Sequence, residues 1–164
     1  MGTTPSPMTA GSTEDPSVVR GKITSPDGAE IDSVLVWKPG DEGVRLSYSL
    51  TPGKAVQLNS LHVSMDVPIG LVAGRNFTVD GESNAVPGTF AGNIHLASKP
   101  MQSVDLDFAV GRKLSLRFAS PTHVLVQDNR RWGPSLVLRM GDQKGPSWAA
   151  GSSMKFEVEL TAEG

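Results

Sequence analysis

Val104-Asp105-Leu106-Asp107-Phe108-Ala109-Val110, Leu114-Ser115-Leu116-Arg117-Phe118 and Met154-Lys155-Phe156-Glu157-Val158-Glu159-Leu160 each alternate apolar and polar side chains. In a β-strand successive side chains point to opposite faces, so such a run writes one buried face and one wet face. Gly111-Arg112 between the first two runs predicts a hairpin. The same alternation continues upstream. Val44 to Leu50 alternates and stops at Pro52-Gly53, and Leu61 to Val67 alternates and stops at Pro68.

Shorter apolar runs complete the pattern: Val18–Ile23, Val34–Trp37, Phe77–Val79, Ile94–Leu96, Val124–Val126 and Leu136–Met140. Turn signals separate them. Pro26-Asp27-Gly28 combines a preset φ with a residue that accepts a positive one. Asp80-Gly81 is a favoured two-residue hairpin turn. Ile94–Leu96 reads as a strand that ends before Lys99-Pro100. The result is about ten strands at the spacing of about 8–12 residues typical of sandwiches and barrels. No window keeps a helical apolar stripe free of Gly or Pro. The expected fold is an all-β, antiparallel β-sandwich of jelly-roll or supersandwich type.

At 164 residues the chain fits one domain with a sizeable core. Residues 1–17, rich in Thr, Ser, Pro and Gly, read as a flexible linker, since they cannot bury enough surface to offset ordering entropy. Residues 18–164 read as a single β-sandwich domain. The N-terminus lacks the basic start and apolar centre of a signal peptide. A net charge of −2, with Lys and Arg scattered, offers no field for nucleic acid or anionic lipid. No apolar run approaches the roughly 20 residues of a spanning helix. The absence of cysteine excludes disulfides, thiol catalysis and thiolate metal sites.

Chemistry-bearing residues are sparse. Trp132 and Trp148 lie in Gly- and Pro-rich loops, whereas Trp37 ends an apolar run. An indole on a loop can stack on a sugar ring while nearby polar groups take the hydroxyls; equally, it can cap a sandwich end with its N–H on a carbonyl. Asp128-Asn129-Arg130-Arg131 precedes Trp132. An Arg there can fork onto a carboxylate or uronic acid, or Asp128 and one Arg can clamp the turn, which is the favoured reading. Phe77, Phe108, Phe118 and Phe156 are in phase with core positions.

Catalytic and metal motifs are weak. Asp105, Asp107, Glu157 and Glu159 occupy outward strand positions rather than the facing carboxylates of a glycosidase. No Gly-x-Ser-x-Gly elbow accompanies His123, and His62, His95 and His123 share no ligand spacing. Asp80, Glu82 and Asn84 are spaced like part of a calcium loop, but Gly81 is misplaced and the bidentate Glu is missing, so a hairpin turn explains them better. No cofactor is expected; a structural Ca²⁺ is compatible with that spacing. Asn76-Phe77-Thr78 fits a glycosylation sequon but falls in an expected strand.

The phrases "LHVSMDVPIGLVAGRNFTVDG", "VPGTFAG", "LSLRFASPTHVLVQDNRRWGPSLVLRM" and "WAAGSSMKFEVEL", spread from Leu58 to Leu160, resemble accessory β-sandwich domains of large bacterial glycoside hydrolases, some of them galactose-mutarotase-like. The resemblance covers roughly two thirds of the chain and rests mostly on strand patterning plus the "QDNRRWG" corner. It implies a non-catalytic module that binds polysaccharide or oligosaccharide, or packs on the catalytic domain of the same parent chain, in a secreted or periplasmic setting. The site residues expected on that reading are Trp148, Trp132 and Trp37 as stacking surfaces, with Asp128, Asn129, Arg130 and Arg131 as polar contacts. Two rivals stay open: a ligand-free interdomain spacer, and a small polysaccharide-active enzyme, the latter disfavoured by one Tyr and scattered His.

Overall fold

The computed structural model describes residues 4–5, 17–142 and 147–164. They are almost entirely antiparallel strand, with thirteen strands, one four-residue helix and one 3₁₀ turn among them. This is consistent with an all-β sandwich. Two compact units are present: residues 1–61 with 142–157, and residues 62–141 with 158–164.

In the first unit β2 (Val18–Thr24), β3 (Glu30–Pro39) and β4 (Val44–Pro52) form an antiparallel meander. A two-residue strand, β1 (Thr4–Pro5), pairs with the far end of β2. The Met154–Glu157 end of β13 (Met154–Glu163) lies beside β4. There Phe156 stacks on Tyr48 at 5.0 Å between ring centroids, and the Ser47 hydroxyl donates to Glu157 at 3.0 Å. Ile31 and Leu50 are buried where the meander closes. The Pro26-Asp27-Gly28 signal does form the β2–β3 turn. Gly28 has φ +79, and the Ser25 and Ala29 backbones bond across the turn. A separate small sheet pairs β5 (Val56–Gln57) with β12 (Ser147–Trp148).

The second unit is built on two long strands. β9 (His95–Phe108) and β10 (Arg112–Asp128) are joined by a 3₁₀ turn, Ala109–Gly111, and pair along most of their length. On its other side β10 changes partner. Lys113–Phe118 pair with the second half of β13, and Val124–Asp128 pair with β11 (Ser135–Asp142). β6 (Leu61–Pro68) flanks β11 and leads into α1 (Ile69–Val72). β7 (Asn76–Val79) pairs with β9 and with β8 (Glu82–Ala85). The apolar positions of the opening alternation point inward: Val104, Leu106 and Leu116 are at most 1% exposed. Phe77, Phe118 and Phe156 are buried as expected, whereas Phe108 is only half-buried.

Two strands each join runs that the residue pattern separates. β9 continues across Lys99-Pro100 because its free side is unpaired there: β7 meets β9 only over Val104–Leu106, so no ladder partner needs the missing N–H. β10 absorbs Pro121 in a register shift between Arg117 and Thr122, where a bulge tolerates proline. The expected Ile94–Leu96 strand is thus the start of one 14-residue strand, and the two halves of β10 form one of 17 residues.

The Asp80-Gly81 hairpin forms as expected, with φ +47 and +84, the paired positive angles of a type I′ turn. Asp80 Oδ1 accepts the backbone N–H groups of Gln102 (2.9 Å) and Ser103 (2.8 Å), tying the hairpin to β9. Chiefly through the Ser103 N–H, this holds the Asp80 carboxyl below its usual range. A Cβ at Gly81 would meet no neighbour within 4 Å. Gly81→Ala is therefore expected to cost only the backbone strain, about 1 kcal/mol, as a lowered denaturation midpoint at unchanged m-value.

Candidate functional site

Trp148 stands in a cleft of about 580 Å³ confined to the first unit. The β5–β12 pairing builds it. Trp148 lies opposite Val56 and Ser147 opposite Gln57, and the β2–β3 turn supplies Pro26 and Asp27 to the same walls. Trp148 is half-buried. Its indole Nε1 is sealed from solvent and has no hydrogen-bond partner among the described residues. Such an orphaned donor costs about 1–3 kcal/mol. The segment after Trp148 is pinned. Ala149 O accepts both the Ser152 N–H (3.1 Å) and the Ser152 hydroxyl (2.8 Å), and the Gly151 N–H donates to Pro52 O at 2.9 Å. Gly145 and Pro146 lie outside the described residues.

Asp27 is exposed at the rim of this cleft. The Ser25 hydroxyl donates to its Oδ1, and the Ala29 N–H approaches the same oxygen at 3.4 Å. These donors, the hydroxyl first, hold the Asp27 carboxyl below its usual range, so it is an anion at neutral pH. The cleft thus combines an indole, an amide that both donates and accepts, and a fixed carboxylate.

The Asp128–Trp132 corner, in the second unit, is built differently. Asp128 is 0% exposed, and Arg130 grips it with two bonds, Nη2 to Oδ2 at 2.6 Å and Nε to Oδ1 at 2.9 Å. The remaining guanidinium donors reach Gly88 O (3.0 Å) and Pro87 O (2.8 Å). Arg130 therefore clamps the β10–β11 turn to the 87–88 turn. The Arg130 guanidinium holds the Asp128 carboxyl below its ordinary range, against the opposing effect of burial. Asn129 ties the same corner, accepting from Gln127 Nε2 (3.0 Å) and donating to Ser135 Oγ (3.3 Å). What faces solvent is Trp132, 62% exposed, with the Arg131 guanidinium carbon 5.6 Å from its ring centroid.

Trp37 is also solvent-facing, at 42% exposure, beside its cross-strand partner Leu46 on β4. The structure thus gathers Asp128, Asn129, Arg130, Arg131 and Trp132 in one turn. It joins Trp148 instead to Asp27 and Gln57, which the residue pattern did not single out. Only the pairing of the distant β5 and β12 strands brings them together, and no local signal announces it.

Asp105, though outward, is half-buried, accepting from Ser115 Oγ (2.6 Å) and pairing with Arg117 (2.8 Å). His62 is held below its usual pKa by burial and then by the positive charge of Arg139. Among the described residues no three His, Asp or Glu side chains gather as a cation site, and no helix is long and apolar enough to cross a membrane.

No family model matches the chain, and no curated protein matches it in sequence. Among solved structures, a galactose mutarotase-like protein from Lactobacillus casei aligns with 93% of this chain and 72% of its own, at a TM-score of 0.56 and 14% identity. At that identity the likeness concerns the fold: this all-β chain shares its architecture with a galactose mutarotase-like protein.

Proposed function

We propose that this chain is a non-catalytic carbohydrate-binding or accessory module that receives a sugar unit in the Trp148 cleft. The observation that carries this reading is the half-buried indole of Trp148 in a cleft that Asp27 and Gln57 also line. A pyranose ring offers an apolar face for an indole, and hydroxyl groups for a carboxylate and an amide. Binding pockets commonly pair an aromatic surface with a few placed polar groups, and a Trp combines an apolar body with one donor. The fold shared with a protein named galactose mutarotase-like agrees with a carbohydrate ligand. Exposed Trp37 in the first unit and Trp132 in the second would serve as separate stacking surfaces. The setting we infer is a larger secreted or periplasmic polysaccharide-degrading enzyme, with its catalytic domain as neighbour.

Affinity electrophoresis through gels containing soluble polysaccharides tests this. Trp148→Ala is expected to weaken retention by about tenfold or more, as loss of a central aromatic contact does, and Gln57→Ala to weaken it less, with melting temperatures near that of the parent. Retention unchanged in Trp148→Ala would overturn the assignment of the cleft.

A further inference from the structure

Residues 95–101 of β9 have β10 on one side and no strand on the other among the described residues, because β7 joins β9 only over Val104–Leu106. An open side of this kind presents unpaired backbone groups and is a template for another strand. Ser98, Lys99 and Pro100 are exposed along it. The stretch is regular enough to serve, since its register with β10 is unbroken from Ala97 to Met101.

Three features meet on this edge. Pro100 has no N–H to give a strand added there. Lys99 Nζ lies 3.1 Å from Glu82 Oε2. Glu82 belongs to β8, which lies beyond β7 from β9, so this ion pair draws the Lys99 side chain to the open side. Asp80 Oδ1 takes the N–H groups of Gln102 and Ser103, at 2.9 and 2.8 Å, and leaves neither donor for an incoming strand. An exposed ion pair adds little stability, and a proline in a strand subtracts a donor. Their common effect falls on what can pair with the edge.

The strand best matched to this edge is the same edge of a second copy, because two-fold pairing joins a surface to itself. In the antiparallel register that overlaps residues 95–101 fully, Ser98 faces Ser98 and Pro100 faces Leu96. A donor is then missing at each end of the new ladder, and the Lys99–Glu82 pair must open in both copies. We propose that Asp80, Lys99 and Pro100 close the β9 edge to strand addition, and so keep this chain from pairing edge to edge with itself. The inference is independent of the sugar reading, because none of these residues lines the Trp148 cleft.

Sedimentation velocity of the full chain across a concentration series tests this, with circular dichroism to check that each variant is folded. Lys99→Thr/Pro100→Thr restores the N–H and removes the ion pair at exposed positions, without adding apolar surface. It is expected to self-associate at least about tenfold more tightly than the parent, since each change counts twice in a two-fold pair. Adding Ser98→Pro removes the N–H two residues along, on the same side of the strand, and is expected to return association to the parent level. Pro100→Thr alone keeps the ion pair and is expected to gain about threefold. A double variant that associates no more tightly than the parent, association that survives Ser98→Pro, or no gain in Pro100→Thr would overturn the proposal.

Discussion

Asp128→Ala is expected to lower the unfolding free energy by about 3–5 kcal/mol, the cost of leaving one member of a buried ion pair uncompensated. The Arg130 side chain is 14% exposed and Asp128 is 0% exposed, so water cannot take over the lost partner. Arg130 would also lose the anchor that aims its other donors at the Pro87 and Gly88 carbonyls. At roughly 2–4 °C per kcal/mol for a chain of this size, the melting temperature should fall by about 10 °C. The Asp128→Ala/Arg130→Met double variant should recover part of the loss, because an apolar replacement of a buried pair is often close to neutral. Calorimetry on the two single variants and the double variant measures this coupling. A loss below about 1 kcal/mol in Asp128→Ala would contradict the clamp.

The same pair sets an acid dependence. The Asp128 carboxyl is held below its unfolded value, first by Arg130 and also by the Arg130 N–H. Its contribution is complete above the ordinary carboxylate pKa, and it fades as pH falls from there through the lower folded value. The parent chain should lose stability over that acid range, and Asp128→Asn should flatten the decline.

Phe77→Ala is expected to cost about 3–5 kcal/mol, the usual range for emptying a buried aromatic site. Phe77 is 1% exposed and faces Leu106 across β7–β9, so its removal leaves a void bounded by strands on both sides, β8 and β9. Trp132, although larger, is 62% exposed, and Trp132→Ala should stay within about 0.5 kcal/mol of the parent. Chemical denaturation of the two variants side by side distinguishes a residue kept for packing from one kept at the surface. Equal losses would contradict this division.

These contrasts mark how far the residue pattern carries. The alternating runs were enough to place Phe77, Val104 and Leu116 inside, because burial on one face of a strand is a local property. The Asp80-Gly81 hairpin was equally legible, since its two positive φ angles are a demand that only certain residues meet without strain. Pro100 misled as a strand end, and the one strand that passes through Pro121 read as two runs. Whether a proline breaks a strand depends on which neighbour flanks it at that position, and that is decided by the sheet rather than by the dipeptide. The Asp128–Arg130 clamp was anticipated in kind, but its anchorage on Pro87 and Gly88 was not, because those carbonyls come from a remote turn. Phe108 broke phase with the buried set because the face opens where the hairpin ends. In the candidate site, Trp148 stood out as a loop tryptophan, while Asp27 and Gln57 stayed hidden in a turn and a two-residue strand.

The sugar-binding reading is tested most directly by the fluorescence of Trp148 alone. In a Trp37→Phe/Trp132→Phe chain the remaining indole reports on the cleft. Titration with a panel of neutral and uronic oligosaccharides should give a saturable change in its emission with at least one of them, as the exposed part of the ring is covered. An emission spectrum that none of them alters, in a chain still folded by circular dichroism, would contradict the account.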